Sequence, residues 1–156
     1  MNKIGVFYGS TTGTTEDVAR RIAEKLNVPS AHIFEVSKLT EALVNEYDVL
    51  VLGSSTWGAG ELQDDWYDGV NVLKKCDLSH KYVALFGCGD SDSYSDTFCD
   101  AIGILYEELK DMKSNVHISA LCPGPVDTNF NETANVIFAL KGISAEYCAA
   151  YALIKM

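Results

Sequence analysis

Short apolar runs alternate along this chain with stretches in which apolar residues recur every three to four positions. The run Ile4 to Tyr8 predicts a first strand. Val18, Ala19, Ile22, Ala23 and Leu26 then fall on one face of a helix, which Asn27-Val28-Pro29 brings to an end. Ala31 to Val36 predicts a second short strand, and Ser37 is placed to cap a helix running to about Asn45. Asp48 to Gly53 is apolar between its end residues, the pattern of a strand covered on both faces. Asp64 to Cys76 predicts a helix and Tyr82 to Phe86 a fourth, buried strand. Phe98, Ala101, Ile102, Leu105 and Leu109 mark the most regular helix, and Val116 to Leu121 is the fifth strand.

Strands that alternate with helices are joined by right-handed crossovers, which makes the sheet parallel and covers both its faces. The expected fold class is therefore α/β: a doubly wound, five-stranded parallel sheet with helices on both faces. Without a repeat, linker or low-complexity stretch, residues 1–156 are expected to form a single domain. In such open sheets ligands bind beyond the carboxyl ends of the strands. The residues after Tyr8, Gly53 and Phe86 are accordingly the first place to look for chemistry.

Composition narrows the ligand and the partners. At 47% hydrophobic and 22% charged residues the chain is ordinary globular material, neither disordered nor fibrous. No apolar run reaches the roughly 18–20 residues of a membrane span, and the opening run is too short for a signal peptide. Lys and Arg number 12 against 22 Asp and Glu, a net charge of −10. Such a chain repels nucleic acid and anionic lipid and favours basic protein partners. Residues 61–111 hold −8 of that charge, from twelve acidic side chains and four lysines. The 5 cysteines include no Cys-x-x-Cys pair and the 3 histidines stand alone, so neither a disulfide framework nor a metal site is expected. This cysteine usage points to a reducing, cytoplasmic compartment.

The first loop, Gly9-Ser10-Thr11-Thr12-Gly13-Thr14-Thr15, packs five hydroxyls and two glycines into seven residues ahead of a helix. Glycine lets the backbone curl so that N–H groups point inward, hydroxyls add donors, and the helix start adds partial positive charge. Gly13 is followed by Thr14 rather than Lys, which excludes a Walker loop, and the dinucleotide Gly-x-Gly-x-x-Gly pattern is missing. What remains is a neutral cradle for a terminal monophosphate; the bland reading is a Thr-rich helix start. The second loop, Ser54-Ser55-Thr56-Trp57-Gly58-Ala59-Gly60, places a large ring between small residues where the strand is expected to have ended. Glycines beside such a ring suit close approach of backbone to a flat ligand, against the alternative of a core tryptophan. The third loop, from Gly87 through Cys88, Gly89 and Asp90 to Thr97, carries Tyr94 as its single aromatic. Alone it reads as a surface loop with a solvated tyrosine. Together the three loops describe a site for a flat aromatic ligand carrying one phosphate.

Three motifs in this order resemble the flavodoxin family: S-T-T-G-T-T-E, S-T-W-G-A-G-E-L-Q-D-D-W and F-G-C-G-D-x-x-x-Y-x-D-x-F, with the helix D-A-I-G-I-L-Y-E-E-L beside them. The likeness covers about Lys3 to Leu121. Flavodoxins, with FMN at the switch point of the sheet, are themselves a standard example of the binding rule used above, so the ligand class comes partly from the resemblance. It implies that Ser10, Thr11, Thr12, Gly13, Thr14 and Thr15 hold the FMN phosphate and that Trp57 and Tyr94 flank the isoalloxazine ring. It places Ser55, Thr56, Gly58, Ala59, Gly60, Cys88, Gly89, Asp90 and Thr97 against the ring edge and ribityl chain. The Gly58–Ala59 peptide falls where the family turns a carbonyl towards flavin N5 on reduction.

The implied function is a low-potential one-electron carrier, not an enzyme, passing electrons between a reductase and acceptor proteins. None of the three loops holds a histidine, a Cys/His pair or a Ser/His/Asp set, and the cofactor does the chemistry. An FMN-dependent quinone or azo reductase on the same fold is the alternative; rings on both flavin faces would block the substrate stacking it needs. A receiver domain would need an aspartate at the end of the third strand, where Gly53-Ser54-Ser55 stands. After Leu121 the likeness weakens. Cys122 to Thr128 looks like the loop that splits the fifth strand of long-chain flavodoxins, but residues 122–156 are otherwise atypical. Ser144 to Met156 is apolar almost all round, which predicts burial, or self-association of an otherwise monomeric chain.

Overall fold

A computed structural model describes residues 2–112 apart from positions 91 and 111, together with the strand backbones at 117–121, 126–127 and 143–144. Five parallel strands form the sheet: β1 (Ile4–Gly9), β2 (Ile33–Glu35), β3 (Val49–Trp57), β5 (Tyr82–Cys88) and β6 (His117–Leu121). A short strand, β4 (Glu61–Leu62), adds antiparallel to the end of β3. The order is β2-β1-β3-β5-β6, so the winding reverses between β1 and β3. The helices are α1 (Thr14–Lys25), α2 (Glu41–Glu46), α3 (Asp65–Leu73) and α4 (Asp100–Lys110). A two-residue parallel pair, β7 (Val126–Asp127) with β8 (Ile143–Ser144), stands apart from the main sheet.

Side chains alternate along β1, β3 and β5, so each of these strands feeds two cores. Val6, Tyr8, Val51, Ala84 and Phe86 meet Val18, Ala19, Ile22 and Ala23 of α1 on one face. Phe7, Leu50, Leu52, Val83 and Leu85 meet Trp66, Val70 and Leu73 of α3 and Ile102, Leu105 and Leu109 of α4 on the other. Each Val, Leu, Ile or Phe among them contributes about 1.5–3 kcal/mol when fully buried. Layers on both sides therefore hold the strand ends, and the loops leaving them, in fixed places.

Several element boundaries differ from the expectations, each for a local reason. Helix α2 is capped by Thr40 rather than Ser37: Thr40 Oγ1 accepts the Leu43 N–H at 3.2 Å, while Ser37 sits in a 3₁₀ turn, Val36–Lys38. Strand β2 is only three residues long, because a 3₁₀ turn on each side (Ser30–His32 and Val36–Lys38) takes up the rest of the apolar run. Helix α4 starts at Asp100 rather than near Phe98, since Cys99 stands at φ +60°, outside the helical region. Helix α1 ends as the sequence suggests, and Asn27 supplies the reason. At φ +54° it allows its own N–H to reach the Glu24 carbonyl and that of Val28 to reach Ala23, the paired bonds of a Schellman stop.

The expected helix from Ser144 and the strand-splitting loop fall, apart from the backbone of β7 and β8, outside the described residues. Among the described residues no helix is long and apolar enough to cross a membrane.

Candidate functional site

The register brings the strand exits side by side: Gly9 pairs with Ser54, and Ser54 with Gly87. All three loops therefore leave one edge of the sheet, at and next to the reversal of strand order. That is where an open α/β sheet leaves a crevice.

In the first loop Gly13 adopts φ +91°, a left-handed conformation that turns the chain into α1. Its N–H donates to Ser10 Oγ at 3.1 Å, which closes the loop on itself. The N-cap residue of α1 is Gly13, which has no side chain to cap it. Thr15, in the first turn, has no solvent exposure, and its Oγ1 finds no hydrogen-bond partner. A buried hydroxyl without a partner costs about 1–3 kcal/mol. The arrangement makes sense when an outside acceptor completes it. Thr12 and Thr14 are half-buried, and Thr11 and Gly13 are exposed. The nearest cations on α1 are already engaged: Arg20 donates twice to Glu16 Oε1, at 2.6 and 3.1 Å, and Arg21 stands 3.9 Å from Asp17.

Beneath the loop, burial pushes the Tyr8 hydroxyl up to about 12, helped by the neighbouring carboxylates of Glu16 and Glu35. An unfolded chain therefore loses this proton first, near the ordinary value of about 10. Below that pH the contribution to stability is whole; it drains away between about pH 10 and 12, at roughly 1.4 kcal/mol per unit. Denaturant titrations at several alkaline pH values should show the parent losing about 1–3 kcal/mol more than Tyr8→Phe across this window. Equal losses would assign the effect to other groups.

The second segment corrects the sequence reading. Ser54 to Trp57 are strand, not loop, because β3 continues beside β5 as far as Ser55↔Cys88 and then pairs Thr56↔Leu62 and Trp57↔Glu61 with β4. Gly58, Ala59 and Gly60 form the tip of a tight hairpin, closed by the Gly60 N–H donating to the Trp57 carbonyl at 3.0 Å. Gly58 already holds φ +51°, and a Cβ there would stand 2.6 Å from Glu61 Oε2, so only glycine fits without strain. Trp57 is 40% exposed and donates from Nε1 to Ser55 Oγ at 2.9 Å, which fixes the ring's edge. The Thr56 Oγ1 atom is buried without a partner, a second orphan at the same edge of the sheet.

Cys88 also belongs to a strand, as the last, buried residue of β5. The loop beyond it is an Asx-type turn. Asp90 Oδ1 accepts the Asp92 and Ser93 N–H groups, each at 3.0 Å, and the Asp90 carbonyl accepts from Tyr94 at 3.1 Å. Burial pushes the Asp90 carboxyl up, but hydrogen bonds from the Ser93 side chain and from the Ser93 and Asp92 N–H groups together hold it below its usual range. Tyr94 is 56% exposed, and the Thr97 N–H donates to its carbonyl at 3.2 Å. Neither Tyr94 nor Trp57 stacks on another ring among the described residues. Gly89 sits against the Phe98 ring, at ordinary to tight contact distance for any added Cβ.

Sequence reasoning gave no role to Ser54, Gln63 and Trp66, which lie buried beneath the site. The local pattern held no signal for them, since Ser54 is followed by Ser55 and Thr56, and Gln63 stands among Glu61, Asp64 and Asp65. Beside the hairpin tip a cleft of about 900 Å³ opens towards α4, lined by Gly60, Glu61, Asp100 and Ile104 among others.

A family model described as flavodoxin matches residues 6–136. The flavodoxin of Buchnera aphidicola from Acyrthosiphon pisum is 43% identical over 116 residues, 74% of this chain and 68% of that protein. Flavodoxin 1 of Escherichia coli K12 is 43% identical over 106 residues, 68% of this chain and 60% of that protein. Like that one, several of the relatives have less than two thirds of their length matched by this chain. Among solved structures, oxidised Flavodoxin 2 of Bacillus cereus superposes with a TM-score of 0.68 at 30% identity, covering 97% of this chain and 95% of that one. Fusobacterium nucleatum flavodoxin bound to flavin mononucleotide gives 0.69 at 20% identity, over 99% and 96% of the two chains, a likeness of fold.

Proposed function

Since this chain belongs to the flavodoxin family, we propose that it is a one-electron carrier that holds FMN non-covalently and passes electrons between a reductase and acceptor proteins. The observation that carries this reading is Thr15: a fully buried hydroxyl without a partner, in the first turn of a helix whose N-cap is a glycine. A phosphate is the acceptor that such a place lacks. When bound, FMN supplies the chemistry by taking up and giving out electrons one at a time.

The chain's own residues bind and orient. Ser10, Thr11, Thr12, Gly13, Thr14 and Thr15 hold the phosphate. Trp57 and Tyr94, exposed and unstacked, are the rings for the two flavin faces. The backbone from Ser55 to Gly60 and from Cys88 to Asp90, with Thr97, meets the ring edge and ribityl chain. The orphan Thr56 hydroxyl supports a polar ligand on the hairpin side. The acidic surface suits basic redox partners in the cytoplasm, with the carrier acting as a monomer.

The test is direct. Flavin-free protein mixed with one equivalent of FMN is expected to quench the flavin fluorescence and to give a structured visible spectrum that reduces in two resolved one-electron stages. A spectrum identical to free FMN would overturn the reading.

A further inference from the structure

Buried side chains with no part in the reading above meet under the exits of β1 and β3. Trp66, on α3, has no solvent exposure, and its Nε1–H donates to the Gly53 carbonyl of β3 at 2.8 Å. The same indole lies against Gly9, the last residue of β1. A Cβ built on Gly9 would stand 2.6 Å from Trp66 Cδ1 and 2.8 Å from Nε1, and would also collide with Gln63 Oε1.

Gln63 is held in turn. Its Oε1 accepts the Asp65 N–H at 3.2 Å, its Nε2 donates to Asp65 Oδ2 at 2.9 Å, and its own N–H donates to Ser54 Oγ at 3.3 Å. Ser54 passes the connection on by donating to the Ser55 carbonyl at 2.9 Å, and Ser55 Oγ receives the Trp57 indole. Buried polar groups arranged in this way keep one geometry, because an unpaired member costs more than its bond contributes.

We propose that Trp66, braced by Gln63, is a positioning residue for the FMN site. It clamps the exit of β1, where the phosphate loop begins, to the exit of β3, where the Trp57 hairpin begins. The ladder sets these two exits side by side, and the indole packed against both fixes how the two segments leave them. This inference rests on the FMN reading. A ligand spanning two subsites gains from both only while they stand the right distance apart. FMN engages both halves, whereas riboflavin engages only the hairpin half. Loosening the clamp therefore lowers the preference for FMN over riboflavin.

Trp66→Phe keeps an aromatic ring in the core and removes the Nε1–H. Dissociation constants for FMN and riboflavin, read from flavin fluorescence, are compared between the flavin-free parent and variant, along with their melting temperatures. The FMN-to-riboflavin preference is expected to fall about tenfold or more. A lower melting temperature with an unchanged preference makes Trp66 a core residue only and overturns the proposal. Gln63→Ala serves as a second variant that leaves the indole in place. It is expected to move the preference the same way by about threefold, and an unchanged preference there overturns the bracing role. A parent that binds neither flavin ends the FMN reading itself, and the clamp with it.

Discussion

Replacing Thr12 and Thr15 together by alanine should weaken FMN binding by roughly 10²–10⁴-fold, on the basis of two hydrogen bonds to a charged group at about 1.5–3 kcal/mol each. Riboflavin, which has no phosphate, should lose less than about threefold. The neutral loop is the reason. With Arg20 and Arg21 engaged by Glu16 and Asp17, each hydroxyl carries a large share of the attraction for the phosphate. The same change should move the flavin-free protein the opposite way. Removing the buried, unpartnered Thr15 hydroxyl and replacing a β-branched residue within α1 should raise its stability by about 1–2 kcal/mol. Binding titrations and denaturant melts on one pair of samples check both signs. Equal losses for the two flavins would remove the phosphate from this loop. A destabilised flavin-free variant would mean that Thr15 already has a partner.

Electron transfer with a basic reductase should slow by about 10–100-fold between 0.05 and 0.5 M salt. The charge that matters is concentrated beside the hairpin and the Tyr94 loop, in residues 61–111. Two of that region's lysines are paired with α4: Lys74, which lines the cleft beside the hairpin tip, pairs with Glu108 at 2.6 Å, and Lys110 pairs with Glu107. Those pairs offset the acid of α4 and leave the hairpin and the start of α3 strongly negative. Screening acts on long-range attraction because the Debye length falls from about 10 Å at 0.1 M to about 3 Å at 1 M. Changing Glu61, Asp64 and Asp68 to their amides should flatten the salt dependence and slow the rate at low salt. All three are exposed, and Asp65 is best left alone because it holds Gln63. Stopped-flow rates across a salt series decide the matter. A rate indifferent to salt before and after the change would leave these carboxylates a solubilising role only.

Much of this was legible in the sequence because it is local physics. Strand and helix periods are written every two and every three to four residues. From them came the five strands and the α/β class, and the sheet order β2-β1-β3-β5-β6 agrees. The hydroxyl-rich turn into α1 was legible for the same reason, since Gly13 and the Ser10 hydroxyl that accepts its N–H act within a few residues of one another. The hairpin was not. Trp57 sits in a strand because β4 returns to pair with it, and the apolar run that marks β3 stops at Gly53, four residues too soon.

What only the tertiary structure decided depends on partners far away in the chain. Thr15 reads like any threonine until the packing of α1 on β1 and β3 removes its hydroxyl from water and offers it nothing in return. Trp66 reads as one more apolar residue of α3 until its indole is found between Gly9 and the Gly53 carbonyl. A hydrogen bond across 13 positions, or a glycine needed because a tryptophan lies over it, leaves no periodicity to detect. Sequence by itself determined the five strands of the parallel sheet and the connections that leave one of its edges. The fold decided which polar groups are desolvated, which are paired, and how far apart the two halves of the site stand, because burial and pairing are properties of neighbours rather than of residues.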